Sequence, residues 1–328
     1  MQECPVSEDG KARAQIQSLR GAGKTWLIGV FIVWLLYCNS DIKIAIMCSK
    51  IGFGQRLIGF IRGLLHHELM THLVPLKAAD NKWANFRKDM LDNLDEFQCG
   101  AATRHSSEPS VKAFGLFSTF TGIHPDVVIA DDVEVPENSG TVKMRDKIHE
   151  KCKEFESLVN PGGMVLFLGT PQTEESIYNE KLDVRYVCRR WPCRYPDLKN
   201  KSACQSVSPW LINNLLSGIA KPGDLTYPER FDDQELLVKE AIEGTQMFAL
   251  QYMLDPTLAD SDRYPLKLSN LVVFDAAFDM APSQVVWGTV KPVTWLDSVG
   301  LQGDCFYEAA WASEKFLPYQ MAVMYIDP

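Results

Sequence analysis

Along residues 13–195, short apolar runs alternate with stretches of helical periodicity. Strands are predicted at Ala14–Leu19, Ile42–Cys48, Val111–Phe117, Asp126–Ala130, Met164–Leu168 and Val184–Arg190, and helices at Lys24–Cys38, Arg56–Leu69 and Val142–Leu158. Several of these strands, such as IKIAIMC, DVVIA and MVLFL, are nearly unbroken apolar runs. That pattern predicts a mostly parallel sheet covered by helices on both faces, the α/β class. Residues 75–110 are polar and irregular. From about Leu198 the texture changes: Pro196, Pro209, Pro222 and Pro228 punctuate short helical stretches, the clearest being Gln234–Glu243 and Thr245–Leu254. The expected organisation is an α/β core over 1–197, a small helical lid over 198–263 and a connecting segment over 264–328. Met321–Asp327 (MAVMYID) reads as a central strand only one residue from the chain end, so the end is read as a domain cut.

Composition narrows the choice. With 46% hydrophobic and 23% charged residues among 328, the chain is neither disordered nor of low complexity. Its 33 Lys and Arg against 42 Asp and Glu leave a net charge of −9. A basic coat is excluded, so contact with nucleic acid would need a local patch or several copies in a ring. Nine cysteines, none spaced C-x-x-C, argue against a disulfide framework or a zinc knuckle and suit a reducing cytoplasm. Trp26–Cys38 is an uncharged run of 13 residues behind Lys11, Arg13, Arg20 and Lys24. It falls short of the ~20 residues that span a bilayer, and Tyr37-Cys38-Asn39-Ser40-Asp41 is a poor signal-cleavage site. The run is read as a buried helix, with no membrane association.

Candidate chemistry begins at Ser18-Leu19-Arg20-Gly21-Ala22-Gly23-Lys24-Thr25, between a predicted strand and a predicted helix. Small residues let main-chain N–H groups crowd around an anion at a helix N-terminus. A lysine then reaches the β- and γ-phosphates, and a Ser or Thr hydroxyl ligates Mg²⁺. Gly21, Ala22, Gly23, Lys24 and Thr25 supply these parts, although Ser18 replaces the first glycine of the usual pattern. The strand DVVIA then runs into Asp131-Asp132-Val133-Glu134, placing carboxylates where open α/β sheets bind ligands. Asp131 is the metal candidate. Asp132 is the first choice to activate water, with Glu134 as the alternative. A third strand ends in Gly169-Thr170-Pro171-Gln172, where Thr170 is placed to sense a γ-phosphate.

Taken in order, Arg20–Thr25, Ile129–Pro136 and Leu168–Thr173 resemble the large terminase subunit of tailed bacteriophages, closest to the podovirus type. Thr121-Gly122, Trp191-Pro192, Tyr195-Pro196, Pro228–Phe231 and Phe248–Pro256 extend the match over nearly the whole chain. The resemblance implies a P-loop ATPase fold, with ATP and Mg²⁺ as cofactors, that drives double-stranded DNA into a prohead. An RNase H-like nuclease follows in that family. It implies phosphate and Mg²⁺ contacts for Lys24 and Thr25, the acidic-strand role for Asp131, a transition-state role for Arg20 and a coupling role for Thr170. Asp132 stands where the family usually has Glu. Asp327 matches the first metal-binding carboxylate of the nuclease, whose other acids are absent, so no DNA cleavage is expected of this chain. Only 23 residues precede Lys24, short for the family's upstream adenine-contacting segment. Implied partners are the portal protein, the small terminase subunit and further copies in a ring, acting in the host cytoplasm. Two rivals remain: a helicase-like motor, which would need a second motor domain after residue 198, and a nucleotide-binding assembly remnant without turnover.

Other features read as structural. His67 and His72 lie at i and i+5, about 140° apart around a helix, so they do not form a zinc pair. Lys143, Arg145, Lys147, Lys151 and Lys153 alternate with acids and read as a solvated helix face. Arg189, Arg190 and Arg194 with Trp191 and Tyr195 read as a packed strand end.

Overall fold

The computed structural model describes residues 12–75, 93–103, 108–120, 123–173, 175–179, 186–199, 203–204 and 206–255, and strands within 272–318. Residues 1–259 form one compact unit and residues 260–328 a second. The first contains a seven-stranded sheet of β1 (Ala12–Ser18), β2 (Ile44–Cys48), β3 (Glu96–Phe97), β4 (Val111–Gly115), β5 (Val127–Asp131), β6 (Met164–Gly169) and β7 (Val187–Trp191). Their spatial order is β3-β4-β2-β5-β6-β1-β7, and every pairing is parallel except β3 with β4. This is the mostly parallel α/β sheet that the apolar runs predict. Because β5, β6 and β1 are adjacent and parallel, the carboxyl ends of all three open on one edge.

Alternation in the central strands feeds two cores. Ile46 and Ile129 face α1 (Lys24–Cys38) and α2 (Ile51–Leu65), packing with Ile28, Ile32, Leu36 and Ile61. Met47, Val128 and Phe167 face the other way, toward α4 (Val142–Leu158), which follows the short α3 (Pro136–Ser139), and Ile148, Cys152 and Phe155 of α4 meet them. The amphipathic pattern of α4 sets its limits, and Thr141 caps it by accepting the Met144 N–H at 3.3 Å. Helix α2 starts five residues earlier than the sequence suggests, directly after the β2 turn, and gives way to a 3₁₀ turn at Glu68–Leu73.

Two expectations, for α1 and for Arg145, are corrected. Helix α1 is not buried all round: Ile28, Ile32 and Leu36 are covered, but Trp26, Leu27, Val30, Trp34 and Tyr37 are exposed. In the strand ARAQIQS the inward positions are the polar ones. Arg13 pairs with Glu156 of α4 at 2.9 Å, the Gln15 amide donates to the Tyr178 carbonyl at 2.6 Å, and Gln17 donates to that same carbonyl. Burial of this polar face is tolerated because its guanidinium and amide N–H groups find partners, although Gln17 Oε1 has none among the described residues. Arg145, read as part of a solvated face, is buried, donates to the Ser139 carbonyl at 3.0 Å and pairs with Glu175. Arg190 and Arg194 pack as expected. Arg190 is buried, and Arg194 donates to the Gly223 carbonyl at 3.0 Å and pairs with Asp233 at 2.6 Å.

The helical segment of this unit comprises α5 (Pro209–Leu216), α6 (Asp233–Glu243) and α7 (Thr245–Phe248), the last running into a π-helical turn at Ala249–Met253. Phe231, Leu236, Phe248 and Tyr252 bury Leu19 between them, so this segment packs directly on the loop after β1. In the second unit, β10 (Val285–Pro292) and β11 (Cys305–Trp311) pair antiparallel, β8 (Val272–Val273) joins β11 in parallel, and β9 (Met280–Pro282) pairs with β12 (Phe316–Pro318). Met321–Asp327 lies outside the described residues. Among the described residues no helix is long and apolar enough to cross a membrane, and Cys38, Cys48, Cys99, Cys152, Cys193 and Cys204 are free thiols.

Gly169 is a point of close approach: a Cβ there would lie 2.0 Å from Cζ of the buried Tyr178 ring. Gly169→Ala is expected to destabilise by about 1–3 kcal/mol through overpacking. Gly59→Ala, with nothing within 4 Å on an exposed turn of α2, should be neutral or stabilise by up to about 1 kcal/mol. Urea melts of the two variants check the opposite signs.

Candidate nucleotide site

At the end of β1, Leu19 is anchored by its N–H to the Trp191 carbonyl at 3.3 Å. The chain then turns through Gly21 (φ 81°) and Gly23 (φ 82°), left-handed conformations that glycine adopts without penalty. Gly23 opens α1 with no side-chain cap and no acid in the first turn. The first N–H groups of the helix and its positive dipole end are therefore left for an anion. Helices α4 and α6 are capped by the side chains of Thr141 and Asp232, whereas α2, like α1, has no side-chain cap.

Lys24 follows at once and is buried. Its Nζ donates to Thr170 Oγ1 at 2.7 Å and lies 3.4 Å and 3.5 Å from the Ser18 and Leu19 carbonyls. Thr170 Oγ1 in turn donates to the Ser18 carbonyl at 2.9 Å, so the ends of β1 and β6 meet at this ammonium. Burial pushes the Lys24 pKa down, while Asp132 and Asp131 oppose that shift. Thr25 Oγ1 donates to Asp131 Oδ2 at 3.1 Å, tying the start of α1 to the end of β5.

The three acids are not equivalent. Asp131 is buried, and its carboxyl is pushed up to about 7, first by desolvation and then by the charge of Asp132. Asp132 has φ 42° and is also raised by burial, against the pull of Lys24, the Thr170 N–H and Arg20. One oxygen of each, Oδ1, is buried with no hydrogen-bond partner among the described residues. Unpaired buried carboxylate oxygens beside a lysine and a hydroxyl fit a hydrated divalent cation and a polyphosphate. No cluster of three His, Cys, Asp or Glu that could hold a metal ion is found among the described residues. Glu134 sits apart from them. Fully buried, it accepts from Ser176 Oγ at 2.9 Å and the Ile177 N–H at 3.0 Å, so its carboxylate fastens the turn after β6.

Two residues that the sequence does not single out organise the edge. The Tyr178 hydroxyl accepts the Val133 N–H at 3.2 Å and donates to the Leu168 carbonyl at 3.2 Å, clamping the exits of β5 and β6. Gln251, in the π-helical turn, accepts from Arg20 Nη1 at 3.2 Å. Neither carries a sequence signal beyond its residue type, although Gln251 lies inside the stretch Phe248–Pro256. The structure therefore brings Arg20, Gly21, Ala22, Gly23, Lys24, Thr25, Asp131, Asp132 and Thr170 to one edge of the sheet, with Glu134 set behind it. Asp327 and Thr121-Gly122 lie outside the described residues. The His67 ring accepts the Leu69 N–H at 3.4 Å and His72 lies edge-on to Tyr37, each in a local structural contact.

No family model matches the chain. Over 321 residues, 95% of its length, it is 33% identical to the large terminase subunit of Enterobacteria phage T3. The chain is similar to the large terminase subunit of that phage over nearly its whole length. It spans 53% of the phage T3 protein, about half its length. The terminase resemblance drawn from the three motifs thus holds along nearly the whole chain, and the strand ends carrying those motifs are adjacent in the sheet.

A pH test follows from Asp131. Between the ordinary 3.8 and the raised value of about 7, the folded protein holds a proton that the unfolded chain has released. Stability must therefore fall as pH rises through that window. Thermal melts from pH 5 to 8 should show this fall, and Asp131→Asn should flatten it.

Proposed function

We propose that this chain is the ATPase portion of a phage DNA-packaging motor, hydrolysing ATP to drive double-stranded DNA into a prohead. The observation that carries the reading is the meeting of Lys24, the Thr25–Asp131 pair, Asp132 and Thr170 at three adjacent strand ends. The uncapped N–H groups of α1 and the left-handed loop receive the polyphosphate. Lys24 neutralises charge on the β- and γ-phosphates. Thr25 and Asp131 hold Mg²⁺, which when bound neutralises the phosphate oxygens.

Asp132 orients the attacking water and takes its proton. It is preferred to Glu134 because the charges of Lys24 and Arg20 act on it, whereas Glu134 Oε2 is held by Ser176 and Ile177; each of the two carboxylates keeps one unpaired oxygen. Burial raises the pKa of Asp132, as it does that of Glu134, so this shift does not separate the two. Arg20 stabilises negative charge as the terminal phosphate departs, and Thr170, bonded to Lys24, passes the change at the phosphate to the end of β6. The portal, the small terminase subunit, a ring of copies and action in the host cytoplasm complete this reading. With a net charge of −9, duplex contact falls to a local patch on each copy.

Steady-state ATP hydrolysis with Mg²⁺, with and without duplex DNA, is the test. Wild-type turnover should rise with DNA, and Lys24→Ala should abolish it in a protein with unchanged circular dichroism. Lys24→Ala turning over at the wild-type rate would overturn the assignment. Asp132→Asn should lose at least ~10²-fold, as expected on removing a general base, whereas Glu134→Gln should stay within a fewfold.

A further inference from the structure

The buried Gln251 carboxamide has both of its polar ends engaged. Its Oε1 accepts from Arg20 Nη1 at 3.2 Å, and its Nε2 donates to Gln172 Oε1 at 3.1 Å. Gln172 Nε2 donates onward to the Thr170 carbonyl at 3.0 Å. Thr170 Oγ1 then meets Lys24 Nζ and the Ser18 carbonyl. The bonds close a circuit from the loop after β1, through the helical segment, through the exit of β6 and back to the same loop. A parallel main-chain bond, from the Arg20 N–H to the Gln251 carbonyl at 3.2 Å, fastens the first of these links.

The backbone around Gln251 is irregular. Ala249–Met253 is π-helical, Leu254 is left-handed at φ 55°, and the Asp255 N–H returns to the Ala249 carbonyl at 2.9 Å. Such π turns interrupt regular helices and concentrate at functional sites. Only an amide suits this position, because one end must accept from a guanidinium while the other donates to a second amide. Glutamate would keep the Arg20 bond and lose the bond to Gln172.

We propose that Gln251 is a positioning residue that sets Arg20 and the Gln172–Thr170 segment together, so that a shift at the β6 exit moves the helical segment and the loop arginine as one. This assigns Gln251 and Gln172 a part in the hydrolysis proposed above and rests on that reading for its consequence. The connection itself is a property of the chain and can be read without nucleotide.

Hydrogen exchange on the full chain is the experiment, comparing wild type with Gln172→Ala, Gln251→Ala and the conservative Gln251→Glu. Gln172→Ala should speed exchange about tenfold at Arg20 and across 249–254, local openings in segments it does not itself occupy. Amides of α2 and α4 should stay unchanged. Gln251→Glu, which keeps the Arg20 bond, should speed exchange at 170–173 but not at Arg20. In ATPase assays Gln251→Ala should lower kcat about tenfold with KM for ATP within threefold, and its effect should be non-additive with that of Gln172→Ala. Exchange changes confined to the mutated segment, or additive kinetic effects, would overturn this inference. A wild-type chain that neither binds nor hydrolyses ATP would instead remove the proposed function, and the exchange pattern would still decide the coupling.

Discussion

The Lys24 ammonium is the charge around which the sheet edge is assembled. A buried cation needs oxygen partners, and this one draws on the Thr170 hydroxyl, the carbonyls at the end of β1 and the field of two aspartates. Each partner comes from a different strand end, so satisfying one charge brings β1, β5 and β6 to a common point. Burial raises both carboxyls, and the charge of Asp132 raises Asp131 further.

Behind the charged edge lies a layer of polar packing that holds it in register. Tyr178 clamps two strand exits with one hydroxyl, and its ring occupies the space that the missing side chain of Gly169 leaves open. Its carbonyl receives Gln15 and Gln17 from β1. Glu134 and Ser176 tie the same turn to the acidic strand. Helical segment and core meet through the apolar cluster around Leu19 as well as through Gln251. The loop after β1 is therefore gripped from both sides.

Much of this architecture was legible in the residues. Continuous apolar runs located β2, β5 and β6, helix periodicity placed α4, and the glycine-rich run before Lys24 marked the turn between β1 and α1. Strand β1 was legible as a strand but misleading as a surface. Its alternation of Ala and Ile with Arg and Gln implies a polar face toward water, yet that face is buried because Glu156 and the Tyr178 carbonyl lie across from it. Helix α1 failed in the opposite sense. Its apolar residues surround the axis, and local pattern cannot say how much cover the rest of the chain supplies. Within the candidate site, motif residues were readable because their types are tied to phosphate chemistry. Gln172 and Gln251 fell inside the matching stretches without a role of their own and Tyr178 outside them, because amides and phenols acquire meaning only from partners distant in sequence.

The left-handed backbone of Asp132 affects how any substitution there is to be interpreted. Aspartate and asparagine tolerate that conformation, since a short polar side chain can bond locally, whereas alanine carries a steric cost of about 1–2 kcal/mol. Truncation at this position therefore removes a carboxylate and strains the turn that carries it, in one step. Glycine would relax the turn while also removing the carboxylate. An alanine and a glycine variant compared side by side would separate backbone strain from lost charge, a separation that neither truncation achieves alone.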